Sequence, residues 1–268
     1  MTYFGFLLRF IVIPILLLGV VNFIDTRRKR EMPASLQSLS PWLMSAMLIM
    51  VAVVYTTPWD NYLVATGVWG YDPALVTGIT LGWVPIEEYT FFILQPIMST
   101  LWLVFLARRI HVDAPFTPHK RIRIIATTVV SVCWLIALAI LLSGSKHGNY
   151  LALELVWALP PIALQVFFGA DILWHYRRLV FLAIASITLY LGVTDALAIN
   201  SGTWIINPEL TTGILLGGIL PIEEAIFFLL TSILLVFGMV LGMAKESLSR
   251  LPTQIMRRDT RKTLWVNE

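Results

Sequence analysis

The sequence predicts an all-α polytopic membrane protein of seven transmembrane helices, arranged as two parallel-oriented three-helix repeats joined by a connector helix. Three observations carry that expectation. Long apolar runs recur from end to end, Lys and Arg fall almost wholly on one side of them, and the chain repeats itself, including a paired-glutamate motif set in apolar sequence.

Of the 268 residues, 58% are hydrophobic and only 13% charged, against about 25% charged in a soluble domain. A helix that crosses the hydrocarbon layer needs about 20 mostly apolar residues. Such runs lie at 3–24, 40–57, 84–107, 121–143, 151–174, 179–198 and 220–243. The second and sixth are short. Further apolar sequence precedes the third and seventh.

Cationic side chains favour the cytoplasmic ends of spans. Arg27, Arg28, Lys29 and Arg30 follow the first span, and Arg108, Arg109, Lys120, Arg121 and Arg123 separate the third from the fourth. Arg177 and Arg178 separate the fifth from the sixth, and six more basic residues follow the seventh. Only Arg9 and Lys146, of 19 Lys and Arg, fall on the other side. The protein is therefore expected in the cell membrane with its N-terminus outside and its C-terminus in the cytoplasm. The net charge of +3 reads as topology and contact with anionic lipid headgroups. Nucleic-acid binding is a poor fit, because no basic fold with interleaved aromatics accompanies the charge. The basic cluster after the first run, with no small-residue cleavage site, suggests a retained anchor and not a removed signal. The single cysteine, Cys133, lies mid-span, which excludes an internal disulfide and suggests a packing role.

The duplication is explicit. Asp60, Gly67, Trp69, Pro73, Thr77, Gly78, Ile79, Leu81 and Gly82 return 135 positions later as Asp195, Gly202, Trp204, Pro208, Thr212, Gly213, Ile214, Leu216 and Gly217. One residue is then inserted, and PIEE at Pro85–Glu88 returns 136 positions later at Pro221–Glu224. Pro14 and Asp25 are echoed by Pro160 and Asp171. A match of this kind signals internal repetition. It divides the chain into a repeat at 1–110, a connector at 111–146, a second repeat at 147–245 and a basic tail at 246–268. An odd connector gives both repeats the same orientation, related by a pseudo-twofold axis along the membrane normal. The two glutamate pairs would then sit at equal depth and could face one central cavity.

Twenty-one residues separate Glu87 from Arg108, and twenty-two separate Glu223 from Lys245. At 1.5 Å per residue each pair lies about 30 Å from the cytoplasmic boundary, in the outer third of the bilayer. A single helix from 74 to 107 would be about 50 Å long, too long for the hydrocarbon layer. Gly78, Gly82 and Pro85, and Gly213, Gly217, Gly218 and Pro221, offer places to break it. A broken or kinked segment is expected, with PIEE opening the main helix and proline in its first turn. The alternative is a plain proline kink in one tilted helix.

Phe91 and Phe92 lie within helical reach of Glu87 and Glu88, as Phe227 and Phe228 do of Glu223 and Glu224. Burial among rings favours the neutral acid. Such an acid can protonate a poor base such as an alkene, and ring faces then stabilise the carbocation. The bland alternative is that the glutamates cap broken helices. Asp60 and Asp195 could orient a glutamate or hold a loop, and Trp69 and Trp204 are interfacial or cavity-wall residues. Asp25 and Asp171 abut basic residues, so ion pairing is expected. Glu154, Gln95 and Gln165 are unduplicated and read as structural or accessory.

The sequence lacks a phosphate loop, a dinucleotide fingerprint, HExxH and CxxC. Its four histidines are scattered at span boundaries, which argues against an intramembrane di-iron site. No mid-span lysine stands in the seventh helix to attach retinal.

With these residues placed, the chain resembles the integral-membrane lycopene cyclases, which occur as two small subunits in some bacteria and as fused tandem domains in archaea, other bacteria and fungi. The resemblance rests on two three-span modules, each with P-x-E-E, here Pro85–Glu88 and Pro221–Glu224, and each with an upstream Asp and Trp. It implies a cofactor-free, metal-free isomerisation of lycopene or a related acyclic carotenoid into a β-ringed product. Carried over, Glu87, Glu88, Glu223 and Glu224 are the acid and base candidates, with donor and acceptor unassigned. Asp60, Asp195, Pro85 and Pro221 would support them, and Phe91, Phe92, Phe227, Phe228, Trp69 and Trp204 would line the substrate. One active centre or two is left open. Other outcomes compatible with the motifs are a carotenoid hydratase, in which water traps the cation, a proton-coupled transporter, and a non-catalytic carotenoid-binding protein.

Overall fold

A computed structural model describes residues 1–250, apart from 111, 113 and 145. The basic tail expected at 246–268 therefore lies outside the described residues from 251 onward. Among the described residues seven helices are long and apolar enough to cross a membrane: α1 (Tyr3–Arg27), α2 (Pro41–Ala65), α3 (Ile86–Ala107), α4 (Lys120–Leu142), α5 (Asn149–His175), α6 (Arg177–Asn200) and α7 (Ile222–Met243). A single turn, α8 (Lys245–Leu248), follows.

The central helices are α3 and α7, the most buried of the seven, which touch each other. α1 and α2 pack on α3, as α5 and α6 pack on α7. Across the middle, α2 meets α7 and α6 meets α3. α4 runs along α5 and otherwise faces outward. Positions one repeat apart in sequence meet each other here. Gln95 Nε2 donates to Thr231 Oγ1 at 3.1 Å, 136 residues on. The outer strands β1 (Trp69–Tyr71) and β4 (Trp204–Ile206) pair antiparallel, with Gly70 opposite Ile205.

The apolar sequence before each PIEE is not a helix half. It forms two small hairpins, β2 (Thr80–Leu81) with β3 (Val84–Pro85), and β5 (Leu215–Leu216) with β6 (Leu220–Pro221). Positive φ at Gly82 makes the first turn possible, and Gly217 and Gly218 do the same in the second. The extra residue of the second repeat lies in that turn, where a longer loop costs little. Pro85 and Pro221 end strands and flank the helices as extended residues, one position before the first turn expected for them.

Two other expectations change. α2 runs to Ala65, eight residues past the predicted end, so Asp60 lies inside the helix and not at its mouth. Polar Thr56, Thr57, Trp59 and Asp60 hid that extension from a hydropathy count, and Pro58 is accommodated within the helix. Cys133 is exposed on the outward face of α4, not packed inside.

Proline has no N–H and leaves the carbonyl four residues earlier without its helical partner. Pro14 frees the Phe10 carbonyl, and Tyr190 Oη of α6 donates to it at 2.8 Å. Pro161 frees the Trp157 carbonyl, and Tyr55 Oη of α2 donates to it at 2.8 Å. Tyr55 and Tyr190 are 135 residues apart, so the same remedy appears once in each repeat. This makes Pro161, the neighbour of the predicted Pro160, the working counterpart of Pro14. Pro160 frees Val156, whose carbonyl accepts from Trp134 Nε1 at 3.3 Å.

At the helix ends away from the hairpins the expected ion pairs form, partly with residues distant in sequence. Asp25 accepts from Arg109 at 2.7 Å and lies 3.5 Å from Arg30, and Asp171 accepts from Arg250 at 2.7 Å.

Candidate active site

Each PIEE supplies two glutamates with different surroundings. The first of each pair turns back to the hairpin: Thr77 N donates to Glu87 Oε1 at 2.7 Å, and Thr212 N donates to Glu223 Oε1 at 2.6 Å. The second oxygen of each is buried without a partner. These carboxylates tie the outer loops to the starts of α3 and α7.

Glu88 and Glu224, one residue and about 100° further round, face a common central cavity with a volume of about 40 Å³. Phe91, Phe227, Phe228, Trp69 and Trp204 are in its wall, together with Tyr3, Phe6, Tyr71 and Asp195. Phe92 is one layer deeper, in a separate chamber that it shares with Phe91 and Phe227.

Phenols hold both carboxylates. Tyr3 Oη, from the first turn of α1, donates to Glu88 Oε2 at 2.5 Å, and Tyr71 Oη of β1 donates to the same oxygen at 3.1 Å. Tyr150 Oη, from the first turn of α5, donates to Glu224 Oε1 at 2.8 Å. Burial and the neighbouring Glu88 push the Tyr71 phenol well above its usual range, so it stays a donor. Rings from one sequence repeat brace the phenols of the other. Trp204 packs on Tyr3 at 5.0 Å between ring centres, and Trp69 meets Tyr150 edge-on at 5.5 Å. Trp204 Nε1 donates to Asp195 Oδ1 at 3.0 Å. Asp60, only 1% exposed, interacts with Trp69, the counterpart of that pair in the first repeat. A stack of Trp59, Trp157 and Phe227, with Trp59 4.5 Å from Trp157 and 5.9 Å from Phe227, extends the aromatic wall toward α2 and α5.

The sequence-predicted residues thus divide. Glu88, Glu224, Phe91, Phe227, Phe228, Trp69, Trp204 and Asp195 share the cavity, whereas Glu87, Glu223 and Phe92 stand outside its wall. Pro85 and Pro221 position the glutamates from the ends of β3 and β6. Sequence reasoning missed Tyr3, Tyr71 and Tyr150, and it undervalued Glu154, which is fully buried beside Tyr150 and Glu224. A signal existed for two of them: Tyr3 and Tyr150, 147 residues apart, each open the first span of a repeat.

With that geometry established, comparison with known proteins is decisive. The family model for lycopene cyclase matches residues 35–106 and 147–241. The chain belongs to the lycopene cyclase family. It is 40% identical over 195 residues to a lycopene beta-cyclase of Halobacterium salinarum, covering 73% of this chain and 80% of that protein. It is 35% identical over 197 residues to a bifunctional lycopene cyclase/phytoene synthase of Gibberella fujikuroi, covering 72% of this chain and 33% of that longer protein. No solved structure matches the chain. Both matched stretches span a PIEE motif, so the family model includes the two glutamates that line the cavity, Glu88 and Glu224.

Proposed function

We propose that the chain is a lycopene beta-cyclase that closes the acyclic ends of lycopene, or of a related linear carotenoid, into β-rings at one central cavity. The observation that carries this is the convergence of Glu88 and Glu224, one from each duplicated motif, on a single aromatic-walled space with phenols bonded to both. One carboxylic acid adds its proton to the terminal double bond. The resulting tertiary cation closes on the next double bond to form a six-membered ring. A carboxylate then removes a ring proton, and that C–H electron pair becomes the ring double bond. One proton enters and one leaves, without net redox, so the chemistry calls for no electron carrier.

Glu88, which accepts from two phenols, is assigned the base. Glu224, which accepts from one phenol and lies near the buried Glu154, is assigned the acid. The faces of Phe91, Phe227, Phe228, Trp69 and Trp204 attract the cation, and Phe92 backs them from the deeper chamber. Asp195 fixes Trp204, and Asp60 is buried near Glu88. Waters in the small cavity would return the proton from base to acid between turnovers.

The N-terminus is outside and the C-terminus cytoplasmic, which sets the cavity in the outer third of the bilayer. The two repeats, 1–110 and 147–245, are related by an axis along the membrane normal and joined by the connector at 111–146. The Gly70–Ile205 and Gln95–Thr231 pairings support that axis.

Expression of the chain alone in a bacterium that accumulates lycopene tests the proposal. β-ringed products are expected. Hydroxylated acyclic products would mean a hydratase, and unchanged lycopene beside well-inserted protein would remove cyclisation of lycopene.

A further inference from the structure

A linear polyene is dissolved in the bilayer, and only one of its ends can occupy a cavity built around two carboxylates. Its body must lie in apolar space that opens to lipid. Two lipid-facing grooves offer such space. One, of about 610 Å³, lies between α2 and α5, and Val51, Val54, Tyr55 and Trp157 line it. The other, of about 400 Å³, lies between α1 and α6, and Leu17, Leu18, Trp102, Ser186 and Tyr190 line it. The repeat relates the helix pairs that form them, since Tyr55 and Tyr190 are counterparts and each bonds a carbonyl that a proline has freed on the facing helix.

Their inner ends differ. The α2/α5 groove shares Val51, Tyr55 and Trp157 with a chamber of about 110 Å³, and the chamber shares Phe91 and Phe227 with the acid cavity. The α1/α6 groove shares no wall residue with either. Two substitutions between the repeats account for this. Trp102 has Gly238 as its counterpart 136 residues on, and Ser186 has Val51 as its counterpart 135 residues earlier. In the α1/α6 groove Trp102 Nε1 donates to Ser186 Oγ at 2.7 Å, which fixes the indole across the way in. On the other side, a Cβ at Gly238 would stand 2.8 Å from Leu48 and 3.5 Å from Gln165, both in the chamber wall. The glycine lets Leu48 pack close against α7, and no indole stands where Trp102 stands on the other side.

We propose that the α2/α5 groove and the chamber behind it are the lateral access route and the seat of the polyene body, and that the α1/α6 groove, between the corresponding helices of the other repeat, does not lead to the acid cavity. This rests on the cyclase proposal for the identity of the polyene. It deepens it by making the two halves unequal: both contribute an acid, and one admits substrate. The Tyr55 ring stacks on Trp157 at 5.9 Å beside its hydrogen bond, so these two side chains form the threshold between groove and chamber.

Val54 and Leu17, 70% and 62% exposed, point outward, so a larger side chain at either site can be carried without disturbing the core. The full chain is purified in lipid nanodiscs as wild type, Val54→Trp and Leu17→Trp. Two quantities are measured: ringed product formed from lycopene, and lycopene retained by each protein on a Glu224→Gln background. An indole standing in the groove takes the place of the polyene, so Val54→Trp is expected to lower both quantities by about tenfold or more. Leu17→Trp is expected to stay within about twofold of wild type. Equal losses in both variants, or ring formation untouched by Val54→Trp, would overturn the one-sided route while leaving the cyclase proposal standing. A wild type that makes no rings but holds lycopene, released by Val54→Trp alone, would overturn the cyclase proposal and uphold the groove. Phospholipid displaced by Val54→Trp in place of lycopene would show that lipid occupies the groove and would overturn the proposal.

Discussion

Adjacent glutamates in the same motif should respond very differently to the same change. Glu224→Gln preserves shape and still offers an oxygen to Tyr150, which now donates at 2.8 Å. It removes the transferable proton, and a positioned acid or base contributes about 10²–10⁴-fold, or roughly 3–5 kcal/mol of barrier. Glu223→Gln also preserves shape, and its carbonyl oxygen can still accept from Thr212 N, which now donates at 2.6 Å. What it loses is the charge on that bond, worth about 1–2 kcal/mol of stability and little in rate. The same contrast is expected between Glu88→Gln and Glu87→Gln. The assay is the initial rate of ring formation in nanodiscs at matched amounts of folded protein, with thermal unfolding recorded alongside. Glu223→Gln should melt lower and turn over within about tenfold of wild type, whereas Glu224→Gln should melt normally and be nearly inactive. If both members of a pair proved equally dead at equal folded content, the separation of loop-holding from chemical carboxylates would be refuted.

Tyr55→Phe leaves the Trp157 carbonyl, freed by Pro161, without a donor, and an unsatisfied group of that kind costs about 1–3 kcal/mol. A lowered melting temperature in detergent checks this, and Tyr190→Phe should behave alike. For Gln95 and Thr231, the double change to Leu and Val should cost less than the sum of the singles, with a coupling of about 1 kcal/mol in a double-mutant cycle. The raised Tyr71 phenol sets a pH window: its contribution is fully present below about pH 10, the range of an unfolded tyrosine, and is lost only as pH rises through its own higher value. A pH titration of tyrosinate absorbance should therefore show one late-ionising phenol fewer in Tyr71→Phe than in the wild type. An early-ionising Tyr71 would contradict the burial and charge that hold it.

The seven spans, the duplication and the acidic motif were legible because each follows from the local sequence: apolar length, repetition at fixed offsets, and carboxylates in apolar surroundings. Helical geometry also showed that Glu87 and Glu88 must face different ways. Which of them faced the cavity was not legible, because the amide that holds Glu87 comes from a hairpin whose sequence is as apolar as a helix. The phenols were missed for a related reason. Tyr3 is 85 residues from Glu88, and nothing near either residue announces the contact. Tyr55 and Tyr190 could have been found, since they recur at the offset of 135 shared by Asp60 and Asp195. Their purpose became visible only once helix packing set each hydroxyl against a carbonyl freed by proline.

The central claim is that a carboxylic acid delivers a proton to the polyene and a second carboxylate removes a different one. It is tested most directly by a single turnover of excess enzyme equilibrated in deuterium oxide, with the product weighed by mass spectrometry. The account predicts one solvent deuterium in each ring formed, placed on the carbon that was protonated, and no label with Glu224→Gln. Rings formed without deuterium would contradict it, because no exchangeable acid would then have supplied the proton.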